Sequence, residues 1–228
     1  ITTVMRNAEI LRRHGDQLDP EDRRGAINDI HDGAGRLVAI IDNLLTLARL
    51  ERGVALETEP LALRHTAEAV AQEQSARAGG RPVRVTGDAS ALALGGQTYV
   101  EQVLHNLIAN AIKYSPDDAA VDVVLSSSDD EVTIRVLDRG PGIDPEEAEA
   151  IFEPFYRSQR TAATAEGIGI GLSVCKRLIE AQGGRLWCTP RDGGGCEFGF
   201  TLPVAAEDQD AYEAEDDPAD EAPVAVAL

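Results

Sequence analysis

Between residues 27 and 48 apolar side chains return at alternating steps of three and four: Ile27, Ile30, Ala34, Leu37, Ile41, Leu44 and Ala48. Kept up without a break, that alternation is a coiled-coil seam on one long helix. Val38, Ile40, Leu45 and Leu47 widen the apolar surface beyond what a single partner helix covers. Upstream, Ile1, Val4, Ala8 and Leu11 show the same helical spacing. Leu18-Asp19-Pro20-Glu21 separates the two stretches, with Asp19 placed to cap the second helix and Pro20 at its first position. Residues 1–52 therefore read as a helical hairpin. So wide an apolar face predicts that two hairpins pair into a dimeric four-helix bundle, the alternative being an amphipathic helix packed on the following domain.

From about residue 58 the periodicity changes. Residues 64–78 read as a helix stopped by Gly79-Gly80, and further helices are expected at 98–114, 145–151 and 170–182. Strand patterns fall at 82–86, 91–94, 120–126, 131–138, 185–189 and 196–202, clearest in the alternation of Val132, Ile134 and Val136. Helices and strands are interleaved while the late strands are adjacent, so the fold class is α+β with an antiparallel or mixed sheet. Residues 204–228 are Ala, Asp, Glu and Pro with almost no large aliphatics, the composition of a disordered tail. The expected division is a hairpin over 1–55, an α+β domain over 56–204 and the tail over 205–228.

The 98–114 helix carries two faces. Val100, Val103, Leu104, Leu107, Ile108, Ala111 and Ile112 form the apolar one, and Asn106, Asn110 and Lys113 share a second. A carboxamide oxygen suits Mg²⁺ and a lysine suits phosphate, so this stripe fits a metal-bound phosphate chain. Taken alone it is equally a solvated polar face.

Charge narrows the choice of ligands. The chain has 40 acidic and 21 basic residues, a net charge of −19. Nine of the acids lie between Glu207 and Glu221, where there is no Lys or Arg, yet the remainder is still acidic. That balance argues against nucleic acid or an anionic membrane as partner. A phosphate ligand must then be held locally, by a metal, backbone amides and single cations. No apolar run approaches the ~20 residues that cross a bilayer, and the first fifteen residues contain no apolar stretch of a signal peptide. Cys175, Cys188 and Cys196 form no CxxC pair, which argues against zinc and a disulfide framework and for a reducing, cytoplasmic setting.

Three further motifs follow the Asn stripe. Asp138-Arg139-Gly140-Pro141-Gly142 ends a strand, placing a carboxylate where glycines let backbone approach a ligand; such an Asp suits an exocyclic amine. Phe152-Glu153-Pro154-Phe155-Tyr156-Arg157 precedes a small-residue segment over 158–166, the pattern of a mobile lid. Gly167, Gly169 and Gly171 open a helix and would bring amides to phosphate; the spacing fits neither a dinucleotide fingerprint nor a P-loop.

In this order the motifs resemble those of the sensor histidine kinases of two-component systems, over about residues 1–203. NLIANAIKYSP is similar to the family's N box, DRGPGI to its first glycine box, FEPFYR to its F box, GIGIGL to its second glycine box, and GGGCEFGFTLP to its closing strand. The resemblance implies a two-layer α/β sandwich, the Bergerat ATP-binding fold, behind a dimerising hairpin. It implies ATP and Mg²⁺, with Asn110 as the metal ligand and Asn106 one turn before it. Lys113 would meet phosphate and Tyr114 the base or ribose. Asp138 would accept from the adenine amine in a pocket shaped by Gly140, Gly142 and Ile143. Phe155, Arg157, Gly167, Gly169, Gly171 and Leu172 complete the implied binding set. The implied reaction moves the γ-phosphoryl group to a His, for relay to an Asp of a response regulator.

The departures are equally specific. The family's acceptor His stands in a motif like HELRTP, and ITTVMRNAEIL resembles the sequence just after it, so the expectation is a chain that starts past the acceptor and does not label itself. His31, in INDIHDGAGRL, is read as lacking the motif's acidic neighbour and TP signature and is assigned to a surface or interface; His14, His65 and His105 also lack the context. Gly95-Gly96 replaces the Asp that relatives often place before the long helix. Two alternatives accompany the kinase reading: a dimer scaffold that binds nucleotide without catalysis, and another ATPase of the same superfamily.

Overall fold

The computed structural model describes residues 2–52, 55–88, 90–158, 160 and 168–205. The hairpin is formed by α1 (Thr2–His14) and α2 (Pro20–Glu51). Asp19 caps α2, its carboxylate accepting from the amides of Glu21 and Asp22 at 2.9 and 2.8 Å, and Pro20 fills the first helical position. The helices are tied by the buried Asn7, whose Nδ2 donates to Asp29 Oδ2 at 2.7 Å. Along α2, Ile27, Val38, Ile41, Leu44 and Leu45 remain 45–58% exposed.

The second body begins with β1 (Glu59–Leu61) and α3 (Leu63–Arg77), then β2 (Val83–Asp88), β3 (Ala93–Gly95) and α4 (Gln97–Tyr114). It continues through β4 (Val121–Ser127), β5 (Glu131–Leu137), α5 (Gly171–Glu180), β6 (Leu186–Pro190) and β7 (Cys196–Pro203). Five strands form one sheet in the order β2-β4-β5-β7-β6; β2 pairs parallel with β4 and the other pairs are antiparallel. β1 and β3 pair separately, antiparallel. Alternation decides which sheet face is dry: Val121, Val123 and Leu125 on β4 and Val132, Ile134 and Val136 on β5 are buried. Against them lies the apolar face of α4, from Val100 to Ala111, with α3 and α5 beside it. Each aliphatic side chain so enclosed contributes about 1.5–3 kcal/mol. The result is a two-layer α/β sandwich behind a helical hairpin, as the sequence predicts. Among the described residues, no helix is long and apolar enough to cross a membrane.

Two local readings change, and the start of α4 follows its sequence. The helix expected at 145–151 is two short 3₁₀ turns, Pro145–Glu147 and Ala150–Phe152. Asp144 caps the first by accepting from Glu146 N, and Glu153, held extended before Pro154, stops the second. The strand β1 has no signal in the sequence, because three residues including Pro60 show no alternation. At the start of α4, Gly96 stands in the cap position, and no side chain caps the helix. A Cβ there would meet the Tyr99 ring and the Glu57 carbonyl, each at 2.7 Å. The buried Gln182 supplies part of what a cap would: its Oε1 accepts from Gly96 N at 2.7 Å, and its Nε2 donates to Leu178 O. The acidic tail expected over 205–228 lies, apart from Ala205, outside the described residues.

One charged residue fixes the far end of α4. Arg81 is 8% exposed and donates to three carbonyls, through Nε to Ala119 (2.8 Å), Nη1 to Ile112 (2.7 Å) and Nη2 to Pro116 (2.5 Å). Replacing it by Met strands these acceptors, each worth about 1–3 kcal/mol when buried and unpaired. Arg81→Met is expected to lower the unfolding free energy by about 2–4 kcal/mol in urea titrations, and Arg81→Lys to recover only part, since an ammonium does not reproduce the planar fork. A loss under about 0.5 kcal/mol, the surface-substitution range, would show that the guanidinium does not hold this end.

Candidate functional site

The C-terminal ends of α4 and β5 meet at one edge of the sandwich, and a cavity of about 260 Å³ opens beside them. Asn106, Asn110, Lys113 and Tyr114 reach it from α4, and Asp138, Gly142 and Ile143 from the segment after β5. The contact is close. Ser115 Oγ accepts from Arg139 N at 2.9 Å, and a Cβ on Gly140 would sit 2.7 Å from the Tyr114 carbonyl. Gly140 thus shapes the pocket from behind rather than lining it.

Asp138 is 4% exposed. Its Oδ1 accepts from Gly140 N at 2.8 Å, its own N–H donates to Cys196 O at 2.9 Å, and its carbonyl accepts from Arg191 Nη1 at 2.6 Å. Burial raises its carboxyl above the ordinary range, opposed by the amides of Gly140 and Cys196 and by the Arg191 charge. A carboxylate kept in so dry a place is poised to accept from a ligand amine.

On α4, Asn110 Nδ2 donates to Asn106 Oδ1 at 3.0 Å, so the two carboxamides form one unit. Lys113 Nζ lies 5.0 Å from the centre of the Tyr114 ring. The start of α5 packs directly on this stripe. A Cβ on Gly171 would stand 2.3 Å from Asn106 Nδ2, so only glycine lets the helix start so close. Gly169 has φ +79° and its carbonyl accepts from Phe155 N at 2.8 Å. No side chain caps α5, and Gly169, Ile170, Gly171 and Leu172 at its start line the cavity; uncapped amides at a helix start suit an anion. Leu172 lines the same cavity, while Gly167 lies outside the described residues.

The aromatic box divides in two. Phe155, with φ +68° and 67% exposure, points away and is not among the lining residues. Tyr156 and Arg157 do line the cavity. Glu147, hidden in the sequence by the expected helix, clasps this segment: Tyr156 Oη donates to its Oε1 at 2.9 Å and Ser158 Oγ to its Oε2 at 2.7 Å. Sequence reasoning also missed Cys196, which lines the floor, and Ile40 and Asn43, which bring α2 to the rim. Gln102 Nε2 donates to Asn43 Oδ1 at 3.1 Å, joining hairpin to sandwich. Only the wide apolar face of α2 hinted that this helix had more than one neighbour. His31 is exposed on α2, and the expectation that it lacks an acidic neighbour is corrected: Asp32 follows it directly, with Oδ1 3.5 Å from His31 Nδ1, while no TP follows.

Comparison with known proteins bears on the same two regions. The family model of the histidine kinase-, DNA gyrase B- and HSP90-like ATPases matches residues 95–206, and that of the His Kinase A (phospho-acceptor) domain matches residues 1–53. The adaptive-response sensory kinase SasA of Prochlorococcus marinus is 44% identical over 109 residues, 47% of this chain and 29% of that protein. The crystal structure of full-length ShkA in complex with AMPPNP superposes with a TM-score of 0.65 at 28% identity, covering 83% of this chain and 40% of that one. Histidine kinase ThkA in complex with the response regulator protein TrrA gives 0.66 at 25% identity, covering 89% of this chain and 58% of that one. The chain spans under a third of the length of the curated relatives it matches.

The raised Asp138 carboxyl sets a pH dependence. A folded-state value above the unfolded one means that ionisation destabilises the fold, an effect absent in acid, growing as pH rises above the unfolded-state value and levelling off above the folded-state value. Asp138→Asn should therefore be more stable than the parent at pH 7, and the gap should close on acidification. Thermal melts across that range check it; a variant less stable at every pH would show that the charge is compensated in place.

Proposed function

We propose that this chain, which belongs to the sensor histidine kinase family, binds ATP with Mg²⁺ in the cavity between α4, β5 and α5 and transfers the γ-phosphoryl group to a histidine. The observation that carries the reading is the buried Asp138 in a cavity that Asn110, Lys113 and the uncapped start of α5 also line. Asp138 receives the adenine amine, and Tyr114 covers the base or ribose. Lys113 and the α5 amides hold the phosphates, so an acidic protein binds an anion through local donors.

The residues present fit a hard cation that keeps most of its oxygen shell from phosphate and water. Among the described residues no group of three His, Cys, Asp or Glu could hold a metal alone. The Asn110–Asn106 bond uses an Asn110 N–H and leaves its carbonyl oxygen as the ligand. When bound, Mg²⁺ supplies charge neutralisation between the phosphates. Asn106 orients Asn110, Gly171 keeps the helix start against both, and Lys113 stabilises charge on the departing diphosphate. Positioning and charge account for most of the acceleration in such transfers.

The hairpin, taken as residues 1–55, is a dimerisation and histidine-phosphotransfer hairpin that lacks the acceptor-His motif, and 56–204 carries the catalytic role. Ile27, Val38, Ile41, Leu44 and Leu45 form an exposed apolar strip that a second hairpin covers. A response-regulator receiver domain is the expected onward acceptor. No histidine of this sequence stands in a motif like HELRTP, so an acceptor hairpin carrying one is supplied in trans in the test.

With ATP, Mg²⁺ and such a hairpin, acid-labile, base-stable label is expected on the hairpin. Asn110→Ala should cut the rate by about 10²–10³-fold, the range for removing one charge-stabilising group, and His31→Gln should leave it unchanged. ATP binding measured by calorimetry without any transfer would leave a nucleotide-binding scaffold. No binding to the folded chain would overturn the site itself.

A further inference from the structure

Three side chains from residues 156–160 reach back to one short turn, Pro145–Glu147. Tyr156 Oη donates to Glu147 Oε1 at 2.9 Å, and Ser158 Oγ donates to Glu147 Oε2 at 2.7 Å. Arg160 Nη2 stands 3.8 Å from Oδ2 of Asp144, the residue that caps this turn. Ser158 is buried, and a hydroxyl so enclosed needs a partner. Tyr156, Arg157 and Ser158 line the cavity, whereas Glu147 is not among the lining residues. Its carboxylate therefore acts on the cavity wall rather than on a ligand.

The clasped segment in turn carries the start of α5. Phe155 N donates to Gly169 O at 2.8 Å, and a Cβ on Gly169 would meet the Tyr156 carbonyl oxygen at 2.5 Å. Lys176 of α5 adds a second link, with Nζ 5.6 Å from the centre of the buried Phe152 ring. The middle of this chain of contacts is strained. Phe155 holds φ +68°, a conformation that bulky residues rarely adopt, and its side chain is too exposed to fix it by packing. The bonds around it hold that conformation: Phe155 N to Gly169, Tyr156 N to Glu153 and Tyr156 Oη to Glu147.

We propose that Glu147 is a positioning residue for the phosphate end of the bound nucleotide: by accepting from Tyr156 and Ser158 together, its carboxylate fixes the wall against which α5 starts. The inference rests on the ATP reading above, in which Lys113 and the α5 amides hold the phosphates. The base end is seated separately. Asp138 bonds to Gly140, Cys196 and Arg191, none of them in the clasped segment. A carboxylate presents two acceptor oxygens on one rigid plane, so it can hold both hydroxyls at a set separation. Without it, the wall and the helix start must be ordered when the nucleotide binds, and that ordering is lost from the affinity.

The test measures the affinities of the full chain for ATP with Mg²⁺ and for adenosine by calorimetry. Glu147→Ala is expected to bind ATP about tenfold more weakly or worse, the scale of one buried hydrogen bond, while adenosine affinity stays within about twofold. Tyr156→Phe with Ser158→Ala, which deletes only two hydroxyls, should match that loss. Adding both to Glu147→Ala should change ATP affinity by less than about twofold, since the three groups act through one contact. Glu147→Gln keeps the shape and one acceptor and should recover part of the affinity. Unaltered ATP affinity in Glu147→Ala overturns the inference. Equal losses for ATP and adenosine also overturn it, because they mean a general loosening of the cavity. If Glu147→Ala fails to melt cooperatively, the two hydroxyl deletions decide by the same criteria. If the parent chain binds no ATP, the nucleotide reading fails and takes this inference with it; if the parent binds and the variants bind equally well, only the inference fails.

Discussion

Most groups proposed to touch the nucleotide depend on the crossing of two chain ends, those of α4 and β5, with the start of α5 beside them. Helix α4 delivers Asn106, Asn110, Lys113 and Tyr114, and β5 delivers Asp138. Neither set forms a site alone. The ends are held together by the Ser115 hydroxyl on the Arg139 amide and by the close passage of Gly140 beneath the Tyr114 carbonyl. Arg81 gathers the carbonyls of Ile112, Pro116 and Ala119 from the other side, so the end of α4 is fixed before any ligand arrives. Fixing donors and acceptors in advance is what turns a polar stripe into a binding site.

The crossing also explains why the fold tolerates an unfavourable residue. Asp138 lies in a dry position that raises its carboxyl, with two amides and the Arg191 charge offsetting part of the cost. A carboxamide would sit there with less strain on the fold but would offer the wrong acceptor strength and an unwanted donor. Stability given up at a site is consistent with selection for binding rather than for packing. The acidity of the whole chain sharpens the point, since in the proposed reading affinity for an anion would come from Lys113, the α5 amides and a metal rather than from the long-range field.

Much of this was legible in the sequence because it rests on periodicity. The α2 seam, the two faces of α4 and the alternation in β5 are direct consequences of helix and strand geometry, and they fold as their spacing predicts. The sequence marks the glycines for close approach to a ligand, whereas the approaches that the structure shows are within the protein, Gly171 against Asn106 and Gly140 against Tyr114, where a Cβ is excluded. What could not be read lies in contacts between residues far apart in the chain. Gln182 bonded to Gly96, Arg81 reaching past α4 and Cys196 beside Asp138 leave no trace in local spacing. Glu147 was misplaced for another reason: a short polar run before Pro154 looks helical by composition, while the proline and a side-chain cap divide it into 3₁₀ turns. Phe155 was drawn into the site by its motif, but its positive φ turns it to solvent.

The central claim is that the buried carboxylate of Asp138 selects the base through an exocyclic amine. The most direct measurement compares the affinities of the folded chain for ATP and for inosine triphosphate, both with Mg²⁺. Inosine presents a carbonyl oxygen where adenine presents the amine, and the sugar and phosphates are the same. Inosine triphosphate is predicted to bind about 10²-fold more weakly or worse, because a buried carboxylate would face an acceptor with no proton between them. Equal affinities would contradict the account and move Asp138 from recognition to architecture.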